Sequence, residues 1–162
     1  MNKFLALFAT LFGIGKLPKA PGTWGSIFAL LIAVPLVHFI EWPVFTALIL
    51  VFFALGVIAA NAHAKITGKE DAPEVVIDEL VGQWIAILPL EVLGYAQLGD
   101  FRYDTVAAFV LFRVFDIWKP WPVSWAEKKI PGGPGVMMDD VIAGVLAALV
   151  LLAAGFLRGY FI

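Results

Sequence analysis

Gly25–Ala64 reads GSIFALLIAVPLVHFIEWPVFTALILVFFALGVIAANAHA, and its only formal charge is Glu41. A helix that crosses a bilayer needs roughly 17–25 mostly apolar residues, so this stretch predicts two crossings, Trp24–Ile40 and Pro43–Ala62, joined by a Glu41-Trp42 turn. Pro43 suits the first turn of the second helix, where its missing N–H costs nothing. Further apolar stretches predict spans at Leu80–Leu98, Thr105–Trp118 and Val141–Leu157, of which Thr105–Trp118 is short. Met1–Phe12 is apolar with a single Lys3. It is too short to span, has no A-x-A cleavage site and leads into a Gly/Pro loop, so an interfacial or re-entrant helix is expected there rather than a signal peptide. The expected fold is therefore all-α: a multi-pass helical membrane protein of about five embedded helices plus a short N-terminal interfacial helix. No repeat, low-complexity tract or long linker divides the chain, and residues 1–162 are read as a single domain.

Composition agrees. Of 162 residues, 62% are hydrophobic and 15% charged, against about 45–50% and 25% in ordinary soluble domains. A soluble protein must cover its outside with polar groups, and here they are scarce. The formal net charge of −2 argues against nucleic-acid binding through a broad basic surface. The absence of cysteine excludes disulfides, thiolate nucleophiles and thiolate metal ligands. With five crossings, Lys3, Lys16, Lys19, Lys65, Lys69, Lys119, Lys128 and Lys129 fall on one side, while Arg102 and Arg158 fall on the other. The positive-inside rule makes the lysine-rich side cytoplasmic.

Three polar stretches on that side carry more than connectors require. Pro18–Ser26 (PKAPGTWGS) precedes a helix; its glycines, Thr23 and Ser26 suit phosphate binding at a helix N-terminus, although a turn with a Ser or Thr N-cap accounts for the same residues. It lacks the Walker A order. Asp78-Glu79 opens an apolar helix with Gln83 on the same face as Glu79, and simple complementation of the helix dipole is the alternative. In the third stretch Arg113, Asp116 and Lys119 share one helix face, and Asp139-Asp140 precede the last span. There, an Arg113–Asp116 ion pair and a helix N-cap are the structural alternatives, and Gly144 permits close helix approach. Glu70, Asp71 and Glu74 read as solvated charges, and Glu91 as lying near the opposite interface.

The mouth of the bundle thus collects Asp78, Glu79, Asp116, Asp139 and Asp140 beside Lys19, Arg113 and Lys119. Carboxylates without Cys, and with only His38 and His63 as isolated histidines, favour a hard cation such as Mg²⁺ over Zn²⁺.

In these motifs the chain resembles the phosphatidylglycerophosphatase A family: PKAPGTWGS at Pro18–Ser26, DELVGQ at Asp78–Gln83, FRVFDIWKPWP at Phe112–Pro122 and GGPGVMMDDVIAG at Gly132–Gly144. The resemblance implies a Mg²⁺-dependent phosphoric monoester hydrolase of the bacterial inner membrane, its active site facing the cytoplasm, that converts phosphatidylglycerophosphate to phosphatidylglycerol and inorganic phosphate. Its partner is then a phospholipid substrate. On that reading Asp78, Glu79, Asp139 and Asp140 supply most of the metal shell, and Asp116 completes it or acts as general base. Lys119, Arg113 and the Lys19, Thr23, Gly25 and Ser26 segment hold the phosphate. Direct attack by Asp116 or Asp78 is the alternative to a metal-activated water. A small ion carrier or channel is the rival function, because Arg113 and the mouth carboxylates also suit an ion path.

Overall fold

Helix boundaries follow the proline and glycine punctuation of the chain. The computed structural model describes residues 2–92 and 101–157, and those residues are mostly helical with no strand among them. In order they form α1 (Asn2–Ala9), a 3₁₀ segment (Leu11–Lys16), α2 (Pro21–Leu36), α3 (Trp42–Thr67), α4 (Ile77–Val92), α5 (Phe101–Trp118), α6 (Val123–Lys129) and α7 (Gly132–Leu157). Pro21 and Pro43 sit in the first turns of α2 and α3, as a residue without an N–H can. Gly68, at φ 74°, ends α3 and donates its N–H to Ala64 O at 2.8 Å, the usual left-handed stop.

Each expected span holds a helix, but the helices are unequal. α3 and α7, at 26 residues each, are long and apolar enough to cross a membrane, and α2 is a shorter apolar helix. Its 16 residues reach about 24 Å at 1.5 Å per residue, short of a hydrocarbon core of roughly 30 Å. α5 carries Arg102, Asp104, Arg113 and Asp116 within its 18 residues. The outer surface is apolar, with Leu31, Leu50 and Ile117 each more than 60% exposed; such a surface associates with membrane. Part of the Leu80–Leu98 span (93–98), Arg158 and the side chain of Arg102 lie outside the described residues.

Helix ends differ from the expected spans by a few residues, and two of the differences move site residues. α7 starts at Gly132, not beside Val141, so Asp139 and Asp140 lie about two turns inside the helix and cap nothing. The glycines at its head explain this: a Cβ on Gly133 would sit 2.4 Å from Val57 O, and the Gly133 N–H donates to Asn61 Oδ1 at 2.8 Å, so α3 fixes the start of α7. Likewise α2 begins at Pro21 after Ala20, which is left-handed and gives no side-chain cap, so Thr23, Gly25 and Ser26 belong to the helix rather than to a loop.

α4 is the central element, packed against α2, α3, α5 and α7. Trp84 is buried between Phe45 and Phe52, with ring centroids 5.3 and 5.2 Å away, and its indole N–H donates to Ala29 O of α2 at 3.0 Å. α4 meets α7 backbone to backbone: a Cβ on Gly144 would lie 2.4 Å from Gly82 O, and one on Gly82 would lie 2.7 Å from Asp140 O. Backbone cannot give way as a side-chain tip does. Gly144→Ala is therefore expected to destabilise the fold by about 1–3 kcal/mol, read as a lowered Tm of the purified protein; an unchanged Tm would mean that the two helices separate freely.

Candidate active site

The starts of α2 and α4, the first turns of α7 and the end of α5 meet at one cleft. Their side chains enclose a cleft of about 220 Å³ lined by Gly22, Asp78, Glu79, Arg113, Asp116, Lys119, Asp139 and Asp140, with Asp71 at its rim. Within it the carboxylates of Asp78, Glu79 and Asp140 each offer an oxygen, all lying within 4.8 Å of one another. Glu79 Oε2 and Asp140 Oδ2 are buried with no hydrogen-bond partner. A buried carboxylate oxygen without a donor is costly, and a cation between them removes that cost.

Asp116 and Asp139 are paired. Asp116 Oδ2 lies 2.7 Å from Arg113 Nη1, one turn earlier on α5, and Glu79 Oε1 lies 3.8 Å from the same nitrogen. The expected Arg113–Asp116 pair therefore forms, and it forms inside the cleft. Arg113 Nη1 also approaches Ser26 Oγ at 3.5 Å, while Arg113 Nε is buried and unpartnered. Asp139 Oδ2 accepts from Lys119 Nζ at 2.9 Å, and Glu127 Oε1 of α6 accepts from it at 2.6 Å. Asp139 is thus held by a lysine rather than grouped with Asp78, Glu79 and Asp140. Partial burial pulls the Lys119 ammonium pKa down, but the hydrogen bonds to Glu127 and Asp139 outweigh it and the net direction is up. Lys119 is accordingly a fixed positive charge at the mouth.

The Pro18–Ser26 segment contributes differently from expectation. The cleft takes Ala20, Pro21 and Gly22 from it; Lys19 and Thr23 are not among its walls. Gly25 is packed under Val76, and Ser26 is buried, its hydroxyl donating to Gly22 O at 3.0 Å. Gly22 is the glycine that the site uses. A Cβ there would meet Glu79 Oε1 and come within 3.0 Å of Arg113 Nη1. Since both neighbours are side-chain ends, Gly22→Ala is expected to leave the fold intact by circular dichroism and lower turnover roughly 10- to 100-fold, the effect of displacing a reacting group by about 1 Å. Unchanged turnover would show that the placement of Glu79 is immaterial.

Gly22, Asp71 and Glu127 were not singled out from the sequence as site residues. Gly22 lies in the quoted motif, but only its helical phase separates it from Gly25. Asp71 sits in a run of charges that reads as solvated, and Glu127 belongs to α6, a helix inside what reads as a connection.

Carboxylates facing an arginine and a lysine across a small polar cleft suit phosphate-ester chemistry, and comparison with known proteins agrees: the chain is an enzyme of the phosphoric monoester hydrolase class. It belongs to the phosphatidylglycerophosphatase A family, whose family model matches residues 7–155. It is 36% identical over 152 residues to phosphatidylglycerophosphatase A of Escherichia coli strain K12, covering 92% of this chain and 82% of that protein. To the Haemophilus influenzae protein of the same name it is 34% identical over 147 residues, covering 91% and 86%. A Bacteroides thetaiotaomicron protein named, provisionally, as a phosphatidylinositol-3-phosphatase is 38% identical over 157 residues, covering 94% of each chain. No solved structure matches the chain significantly.

Proposed function

We propose that this protein hydrolyses phosphatidylglycerophosphate to phosphatidylglycerol and inorganic phosphate with Mg²⁺, as a multi-pass protein of the bacterial inner membrane whose cleft faces the cytoplasm. The observation that carries the reading is the convergence of Asp78, Glu79 and Asp140 within 4.8 Å beside Arg113 and Lys119. These three carboxylates fit a hard cation: they are all oxygen donors, no histidine or cysteine stands among them, and two of their oxygens are buried without a donor. Asp78, Glu79 and Asp140 hold Mg²⁺, which when bound supplies positive charge to the phosphate oxygens and to the attacking water.

The chain's own residues do the rest. Arg113 is held by Asp116 and Glu79 with its Nε still unpartnered, so it is preoriented to donate to a phosphate oxygen. Lys119, clamped between Asp139 and Glu127, keeps a second charge at the mouth. Both stabilise the charge that spreads over the phosphoryl oxygens as the water oxygen bonds to phosphorus and the ester P–O bond breaks. The proton that the attacking water gives up balances the one taken by the leaving oxygen, which remains with the lipid as a hydroxyl. Asp139 and Glu127 position Lys119, and Ser26 supports Arg113. The lysine-rich end of the bundle supports the cytoplasmic orientation. Trp118, Trp121 and Trp125, all exposed beside the cleft's helices, suit the depth of the headgroups, so the acyl chains stay in the bilayer while the phosphate reaches the site.

The test is phosphate release by the purified protein in uncharged micelles, from phosphatidylglycerophosphate and from phosphatidylinositol 3-phosphate in parallel. Release from the first is expected to exceed release from the second, to fall to background with chelator and to return with Mg²⁺. Greater release from the inositol lipid would reassign the headgroup, and release indifferent to chelation would remove the metal.

A further inference from the structure

A second cavity, of about 330 Å³, lies away from the catalytic cleft, between α1, the 3₁₀ segment, the end of α3 and the loop before α4; Lys3, Lys16, His63 and Glu74 line it, with Leu7 and Ile66 as apolar walls. Its charge is unbalanced. Among the described residues no ion pair takes Lys3 or Lys16, and the one carboxylate present, Glu74, lies 3.8 Å from His63 Nε2. His63 is only 4% exposed, and its Nδ1 is buried without a hydrogen-bond partner. The two hydroxyls in the wall are already committed: Thr10 Oγ1 donates to Leu7 O, and Thr67 Oγ1 to His63 O. Two ammonium groups without an ion-pair partner among the described residues and a buried imidazole therefore line one space.

We propose that this cavity binds a phosphate group, held by Lys3, Lys16 and His63 at a site separate from the catalytic cleft. Phosphate suits this lining, since both ammonium groups donate to its oxygens in charge-assisted hydrogen bonds and the His63 ring can add a further N–H. Leu7 and Ile66, exposed on the same side, give a lipid's glycerol and first methylenes an apolar surface, which favours the phosphodiester of an anionic phospholipid over free phosphate. The site also touches the catalytic machinery through the backbone. Val76 N–H donates to Ala9 O at 2.9 Å, and Gly15 packs directly on the Glu74 carbonyl, so the walls of the cavity brace the segment that leads to Asp78.

The chain contains only two histidines, His38 and His63, so ¹⁵N-histidine labelling gives a local reporter. The purified full chain in uncharged micelles is titrated with short-chain phosphatidylglycerol, short-chain phosphatidylcholine and inorganic phosphate, with signals assigned through His38→Gln. The His63 ring resonances are expected to shift with phosphatidylglycerol, with affinity at least roughly tenfold lower in Lys3→Gln/Lys16→Gln and undiminished in Arg113→Gln. An equal response to inorganic phosphate would make free phosphate the ligand, and a response to phosphatidylglycerol alone would make it the anionic lipid. No shift of His63 with either, a shift unaffected by the double lysine substitution, or one lost in Arg113→Gln would overturn the proposal. Lys3 and Lys16 are exposed, so their replacement leaves folding intact.

Discussion

Asparagine in place of Asp140 is expected to lower the rate of phosphate release by about a thousandfold while the protein still inserts and folds. Asp140 is 3% exposed, its Oδ2 has no donor, and it is the α7 member of the three-carboxylate group. Asparagine has the same shape but one oxygen fewer and no charge, so it weakens the hold on a cation where several kcal/mol of transition-state stabilisation originate; roughly 4 kcal/mol corresponds to a thousandfold. The fold should not suffer, because removing one of several crowded negative charges relieves repulsion when no cation is present. Phosphate release and Mg²⁺ binding by calorimetry check this together. Activity near that of the unmodified protein would exclude Asp140 from the metal shell, and lost activity with normal Mg²⁺ binding would move it to a role in the chemical step.

Replacing Arg113 separates a catalytic charge from a structural one. Its Nη1 alone reaches Asp116, Glu79 and Ser26 at 2.7, 3.8 and 3.5 Å, while Nε has no partner, and a side chain that merely neutralised Asp116 would not need the second nitrogen. Arg113→Gln is expected to lower turnover about 10²- to 10³-fold, the usual effect of removing a preorganised donor at developing charge. Arg113→Lys recovers only part of this, because an ammonium cannot hold two carboxylates and a phosphate oxygen in one plane. Measured kcat and KM decide the matter: a loss in kcat marks a transition-state contact, whereas a rise in KM alone marks uniform binding. If lysine restores full activity, Arg113 is a counter-ion only.

Much of this arrangement was legible in the chain before any coordinates, because hydrophobic length and charge scarcity act locally. The run from Gly25 to Ala64 could hardly be anything but paired apolar helices, and Asp78-Glu79 at a helix start follows from where the apolar pattern begins. Less legible was whatever depends on how one helix meets another. Asp139 and Asp140 read as a cap because the apolar run begins after them; only the approach of Gly133 to Val57 explains why the helix begins nine residues before that run. Glycine spacing likewise does not say that Gly22 faces Glu79 while Gly25 faces Val76, since one residue in three or four changes the face. The split of Asp139 from the other carboxylates needs Lys119 and Glu127, brought together by the short helix α6, and no periodicity announces that helix.

The contact of Gly82 with Gly144 has a further consequence. Glu79 lies one turn before Gly82 on α4, and Asp140 one turn before Gly144 on α7, so the shared backbone contact acts as a ruler for the two carboxylates. Two glycines and one turn of each helix set their separation, without help from the apolar outer surface. The outside of the bundle is therefore free to drift in sequence as membranes differ between organisms, while this crossing has little freedom. For the same reason the crossing is a portable unit: a designer who reproduces it between two helices of an unrelated bundle inherits the carboxylate spacing along with it.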